Sequence, residues 1–180
     1  MLYMPEILKE ILSKSRNGIK RMINADAPGE SIQMKDVKIR KLHEKDLEPL
    51  AELYRQFWNE ESDIDRMKNK FRELSNNPGY IFLCATIDET VAGSIMGIIC
   101  NELYGECRPF LLMDDLVVDK KYRKNGIGKS LISELEKYAK NMNCSQIIFI
   151  TETDRKEALS FYESCGYNSK THAGFKKSLK

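Results

Sequence analysis

The sequence predicts an α/β fold of the α+β kind: a mixed, largely antiparallel central sheet flanked by helices and preceded by a short helical extension. Three observations carry this. Apolar runs at Tyr80 to Ile87, Val91 to Cys100 and Phe110 to Val118 follow one another directly, as strands of an antiparallel sheet do. Stretches with apolar residues at three- and four-residue spacing lie on both sides of that block. The third run then passes through a basic glycine loop straight into one of these helical stretches, giving mixed strand and helix order.

Taken in order, Pro5 to Ile23 carries Ile7, Leu8, Ile11, Leu12, Ile19, Met22 and Ile23 at helical spacing, interrupted near Asn17-Gly18. It reads as one helix or two short ones. Glu6 and Glu10 dilute its positive face, which favours a helix docked on the domain, or pairing in a homodimer, over a membrane anchor. Ala27 to Ser31 is a linker, so residues 1–35 form the extension and 36–180 the domain. Val37 to Leu42 alternates as a strand. Asp46 to Trp58 is a helix with Leu47, Leu50, Ala51, Tyr54 and Phe57 on its apolar face, and Ser62 is placed to cap a second helix ending near Leu74.

Asn77-Pro-Gly stops that helix, and Asp88-Glu-Thr90 reads as the turn of a hairpin between the next two strands. After the third strand and the glycine loop, Leu131, Ile132, Leu135, Tyr138, Ala139 and Met142 recur with helical period. Gln146 to Thr151 is expected as a buried strand and Lys156 to Cys165 as a helix with Gly166 at its end. Tyr167 onward and Ala173 to Leu179 are expected to supply closing strands.

Composition narrows the function classes. At 180 residues and 42% hydrophobic content the chain suits one domain plus a short extension. A net charge of +2 does not favour nucleic acid or a membrane surface as partner. Five scattered cysteines without a C-x-x-C pair argue against a disulfide framework and a zinc site, and His43 and His172 do not cluster as metal ligands. No apolar run is long enough to span a bilayer, and the N-terminus lacks a secretory pattern, so a cytoplasmic location is expected.

The chemistry concentrates after Leu111. Lys120, Lys121, Arg123, Lys124 and Lys129 surround Gly126 and Gly128 at the start of a helix, where unpaired amides and the positive dipole end hold phosphate without a dedicated side chain. Two well-known phosphate loops are excluded. A Walker A loop needs glycine where Arg123 stands, and a dinucleotide fingerprint needs glycine or alanine where Leu131 stands.

What remains is R-x-x-G-x-G at Arg123, Gly126 and Gly128, following L-x-V at Leu116 and Val118. Downstream, Ala158-Leu-Ser-Phe161-Tyr162-Glu-Ser-Cys-Gly166-Tyr167 supplies a second motif, A-x-x-F-Y-x-x-x-G-Y. Together they resemble the GNAT superfamily of acyl-CoA-dependent N-acetyltransferases, from about Val37 to the C-terminus. Asp114-Asp-Leu-Val-Val-Asp also resembles the acidic strand of the polyamine and glucosamine-phosphate acetyltransferases in that superfamily.

The resemblance implies acetyl-CoA as donor, with no metal, and an opening between the strand before the glycine loop and the next strand, where pantetheine lies. It implies coenzyme contacts from the strand backbone at Leu116, Val117 and Val118 and from the loop residues Arg123, Lys124, Asn125, Gly126, Ile127, Gly128, Lys129 and Ser130. Arg155 stands where the family often has a coenzyme-binding Asn. Tyr162 takes the position of the family's acid and coenzyme contact, and Asp114 that of the base. Adjacent acids in a strand are expected to point to opposite faces, which leaves Asp115 to pair with a lysine or cap a backbone group.

The expected reaction is direct acetyl transfer to a primary amine, with a small molecule as acceptor. A catalytically weak CoA-binding module and a protein N-acetyltransferase are the alternatives. Glu60, Glu61, Asp63, Asp65, Glu102 and Glu106 near the expected entrance, with Trp58, favour a cationic acceptor, although acids at a helix start also serve the dipole.

Overall fold

The computed structural model describes residues 37–179, so the expected N-terminal helix and linker lie outside the described residues. Strands β1 (Lys38–Lys41), β2 (Tyr80–Ile87), β3 (Thr90–Cys100), β4 (Phe110–Val118) and β5 (Ile147–Ile148) form one sheet in chain order. The first four are antiparallel to their neighbours, and β5 runs parallel to β4. Helices α1 (Leu47–Trp58), α2 (Ile64–Ser75), α3 (Ile127–Asn141) and α4 (Lys156–Ser164) flank it.

Alternation along the strands separates two apolar layers. Cys84 and Val117 face a cluster with Leu47, Leu50 and Leu53 of α1, against which Phe71 of α2 and Phe82 also pack. On the other face Gly93 and Gly97 let α3 approach: a side chain at Gly97 would meet Leu135 at 2.7 Å, and one at Gly93 would meet Leu131 at 3.3 Å and Ile127 at 3.4 Å. The hairpin between β2 and β3 turns on Asp88 and Glu89, both left-handed, as the tight two-residue turn requires.

A buried ion pair ties β1 to the start of α1. Asp46, 3% exposed, receives Arg40 Nη1 at 2.6 Å and Nη2 at 2.9 Å, and the His43 amide at 2.8 Å. Burial pushes this carboxyl up, but the Arg40 fork and the His43 amide outweigh it, and Asp46 titrates below its ordinary value.

Three expectations change. Asp63, not Ser62, caps α2, its carboxylate accepting from the Arg66 amide at 3.0 Å. The expected buried strand over Gln146 to Thr151 contracts to two paired residues, and Ile150 stands 63% exposed. No strand follows α4 among the described residues; Phe175 and Leu179 are 95% and 92% exposed, so the tail has no apolar surface holding it in the sheet. The end of α4 follows the sequence, with Gly166 left-handed (φ 91°) and the Tyr167 amide donating to the Tyr162 carbonyl at 3.1 Å.

Candidate active site

The site opens where β4 loses a partner. β5 pairs only with Leu111 and Leu112, which among the described residues leaves the β5-facing edge of β4 from Met113 to Val118 without a strand partner. On its other edge β4 carries a bulge. Ser94 pairs with Val117 and Met96 with Asp114, so Ile95 stands opposite two residues, Asp115 and Leu116, and Asp115 takes φ 51°.

The bulge breaks the alternation that would send the two aspartates to opposite faces. Both charges act on the hydroxyl of Tyr54, on α1. Asp114 is exposed, and its Oδ1 accepts from the Asp115 amide at 2.9 Å. The backbone-capping role expected of Asp115 therefore falls to Asp114. Asp115 is half-buried; burial first, then the Asp114 charge, push its carboxyl up to about 6, while the nearby Tyr54 hydroxyl pulls the other way.

Beyond β4 the chain turns through Lys120–Tyr122, where the Asp119 carboxylate accepts from the Lys121 amide at 2.8 Å. Lys124 (φ 63°) and Gly126 (φ 75°) are left-handed, and the first bond of α3 runs from the Ser130 amide to the Gly126 carbonyl at 3.0 Å. The amides of Ile127, Gly128 and Lys129 thus belong to the helix start, where no intrahelical carbonyl reaches them. Arg123 Nε donates to the Val118 carbonyl at 3.1 Å and Asn125 Nδ2 to the Arg123 carbonyl at 3.1 Å, fixing the loop to the end of β4. Lys124 and Lys129 are exposed beside it.

Gly128 has a use the motif does not reveal. A Cβ there would meet the Phe161 ring at 3.0 Å, so its absence lets α4 lean on the start of α3. Tyr162, next to Phe161, packs on Phe149 with centroids 4.4 Å apart and lies 6.4 Å from the Tyr167 ring; the Tyr167 hydroxyl donates to Glu136 of α3 at 3.2 Å. Burial raises the Tyr162 phenol, Arg155 lowers it and Asp114 raises it, which places the phenol within the fields of both. Tyr162 thus lies within reach of the Arg155 and Asp114 charges, and Asp114 and Asp115 both act on Tyr54.

Arg155 lies with its guanidinium 4.6 Å from the centre of the Phe57 ring, bridging α4 to α1, and donates to Glu152 at 3.5 Å. Tyr54 and Phe57 pack edge-on against Trp58 at 5.0 and 4.8 Å, and Trp58 is 44% exposed. The expected acidic entrance is partly used locally: Glu61 sits 3.7 Å from Arg55, and Asp63 caps α2. Thr151 Oγ1, a little beyond β5 in the chain, is buried without a hydrogen-bond partner among the described residues. Tyr54 and Thr151 escape sequence reading. Tyr54 falls on the apolar helix face and looks like core, and only its pairing with a strand acid marks it.

No helix among the described residues is long and apolar enough to cross a membrane, and no group of three metal-ligating side chains occurs among them.

Residues 47–167 match the family model described as the acetyltransferase (GNAT) family. The protein YdhI of Bacillus subtilis is 32% identical over 91 residues, 48% of this chain and 54% of that protein, so the chain spans about half the length of this relative. Glucosamine 6-phosphate N-acetyltransferase of Arabidopsis thaliana is 28% identical over 144 residues, 74% of this chain and 91% of its own; the crystal structure under that name superposes with TM-score 0.69 at 24% identity, covering 80% and 99%. Aminoglycoside N-acetyltransferase AAC(6')-Iy, solved with CoA, superposes with TM-score 0.68 at 18% identity, covering 86% and 99%.

Proposed function

Because the chain belongs to the GNAT family of acetyltransferases, we propose that it moves an acetyl group from acetyl-CoA directly to a primary amine of a small acceptor. The reading is supported by the unpaired edge of β4 beyond β5, the left-handed Gly126 that opens α3, and the packing of Tyr162 on Phe149 just after β5. The loop from Arg123 to Ser130 would take the diphosphate, with Gly126 admitting the turn and the amides of Ile127, Gly128 and Lys129 pointing into it. The unpartnered edge of β4 at Leu116, Val117 and Val118 would pair with the pantetheine amides, and the orphan Thr151 hydroxyl is a further group a bound arm would satisfy.

In this reading the Val118 amide donates where negative charge develops on the carbonyl oxygen. Tyr162 gives its proton to the departing thiolate and recovers one from the attacking nitrogen as the carbon–sulfur bond breaks. Removal of the ammonium proton falls to the acidic pair on the bulge, where the resemblance points to Asp114. Carboxylates near Tyr54 and the half-exposed Trp58 beside it favour a cationic amine, a ring face adding a cation-π contact of about 0.5–2 kcal/mol. By name, one relative acts on glucosamine 6-phosphate, an amine that also carries a phosphate, and a structural neighbour acts on aminoglycosides.

A thiol-release assay with acetyl-CoA over spermidine, amino sugars, aminoglycosides and acidic amino acids tests the reading. Cationic acceptors are expected to release CoA, with a KM that rises with salt. Gly126→Asp is expected to abolish acetyl-CoA binding in calorimetry. Tyr162→Phe is expected to retain that binding and lower turnover by about one to four powers of ten. CoA release no faster than background with every acceptor, despite tight acetyl-CoA binding, would leave a coenzyme-binding module.

A further inference from the structure

α4 carries Tyr162 yet buries no residue of its own, so what fixes the phenol must come from outside the helix. Tyr167 grips it at two points. Its amide donates to the Tyr162 carbonyl at 3.1 Å, and its hydroxyl donates to Glu136 Oε1 at 3.2 Å. Glu136 belongs to α3, which buries Ile127, Leu131, Ile132, Leu135 and Ala139 and is therefore anchored along its length. Between the two points the Tyr167 ring meets Phe149 edge-on at 5.0 Å and Tyr162 at 6.4 Å, while Phe149 lies 4.4 Å from Tyr162. The hydroxyls of Ser164 and Ser169 donate to Phe161 and Glu163, so those bonds stay within the segment and tie it to nothing else.

We infer that Tyr167, anchored on Glu136, is a positioning residue that aims the Tyr162 phenol. The inference rests on the acetyltransferase reading and adds to it the pair that places its acid. Ring contacts alone are non-directional and would let the aromatic set slide. A hydrogen bond to a carboxylate is roughly twice as strong as a neutral one and fixes a point on α3. Burial first, then the Glu136 charge, raise the Tyr167 phenol above its ordinary value, so it remains a donor at working pH.

An acid transfers its proton only within hydrogen-bond reach of the leaving atom, and a displacement of about 1 Å costs on the order of 100-fold. The tether is therefore expected to act on turnover and to leave coenzyme and acceptor binding alone.

The experiment uses the full chain and whichever of glucosamine 6-phosphate, spermidine and kanamycin releases CoA fastest. Tyr167→Phe keeps the ring and loses the hydroxyl; it should lower kcat about 10- to 100-fold with both KM values within about twofold of wild type. Glu136→Leu should do the same, and Glu136→Gln, which keeps an accepting oxygen, should recover most of the loss. In a Tyr162→Phe background, Tyr167→Phe should change kcat by less than about twofold, because the group it aims is already gone. An unchanged kcat in Tyr167→Phe, a Glu136→Gln protein no better than Glu136→Leu, or an equal loss in the Tyr162→Phe background overturns the inference. The last is what a general loosening of the fold would give. Should no amine be acetylated, the acetyltransferase reading fails, while amide exchange still decides whether the tether holds Tyr162. In Tyr167→Phe the α4 amides and that of residue 167 should exchange about fivefold faster, with those of α3 unmoved. Unchanged exchange in α4 overturns it.

Discussion

Leu135 of α3 and Phe161 of α4 sit on helices at the edges of the same opening, yet their surroundings differ in kind. Leu135 is 1% exposed against β3, and every buried apolar residue from Leu42 to Ala139 belongs to the part of the sheet that α1 and α3 cover. α4 has no buried residue, and β5 has two residues in strand. The glycine loop and the acidic strand thus stand on a packed interior, whereas Tyr162 stands on a helix held by a few ring contacts and by Phe161 against Gly128. The proposed chemistry would draw on a tightly packed wall and a lightly held one.

Three substitutions break or sharpen this contrast. Leu135→Ala, in the packed wall, is expected to cost about 2–5 kcal/mol in urea unfolding, since the cavity beside β3 has little to collapse into it. Asp46→Asn leaves Arg40 without its carboxylate and is expected to cost about 2–4 kcal/mol near pH 7, somewhat below a fully buried pair because Arg40 is partly exposed. The Asp46 carboxyl is depressed in the folded state, so its contribution is present above the ordinary carboxylate range and lost as pH falls through the folded value. The gap between wild type and Asp46→Asn should close in strong acid.

Phe161→Ala should have the smallest effect on global stability, about 1–2 kcal/mol for a half-buried ring, and a larger effect on turnover through Tyr162 beside it. Amide exchange should find α4 opening well before α3. Equal protection in the two helices would remove the contrast.

The same division governs what could be read in the residues. The glycine loop and the Tyr162 helix were legible because their residue types are local requirements, a left-handed turn at Gly126 and a helix end at Gly166. The hairpin turn and the strands β2 to β4 followed from alternation. That Asp114, and not Asp115, accepts from the backbone was hidden because it depends on Ile95 opposing two residues, a register set across strands and not along one. Arg155 on Phe57 and Tyr54 on Asp115 join residues nearly 100 and about 60 positions apart, beyond any spacing rule. The expected closing strands failed because propensity marks a segment as able to pair without supplying the edge and apolar cover it needs.

The left-handed backbone at Asp115 has a consequence for which substitutions position 115 tolerates. At φ 51° only glycine, asparagine and aspartate sit without appreciable strain. Glycine keeps the bend and loses the side chain; asparagine keeps the shape and loses the charge. Aspartate alone among the three supplies a carboxylate, so backbone geometry and charge at this position select from the same short menu, and drift toward either alternative preserves the bend while discarding the charge.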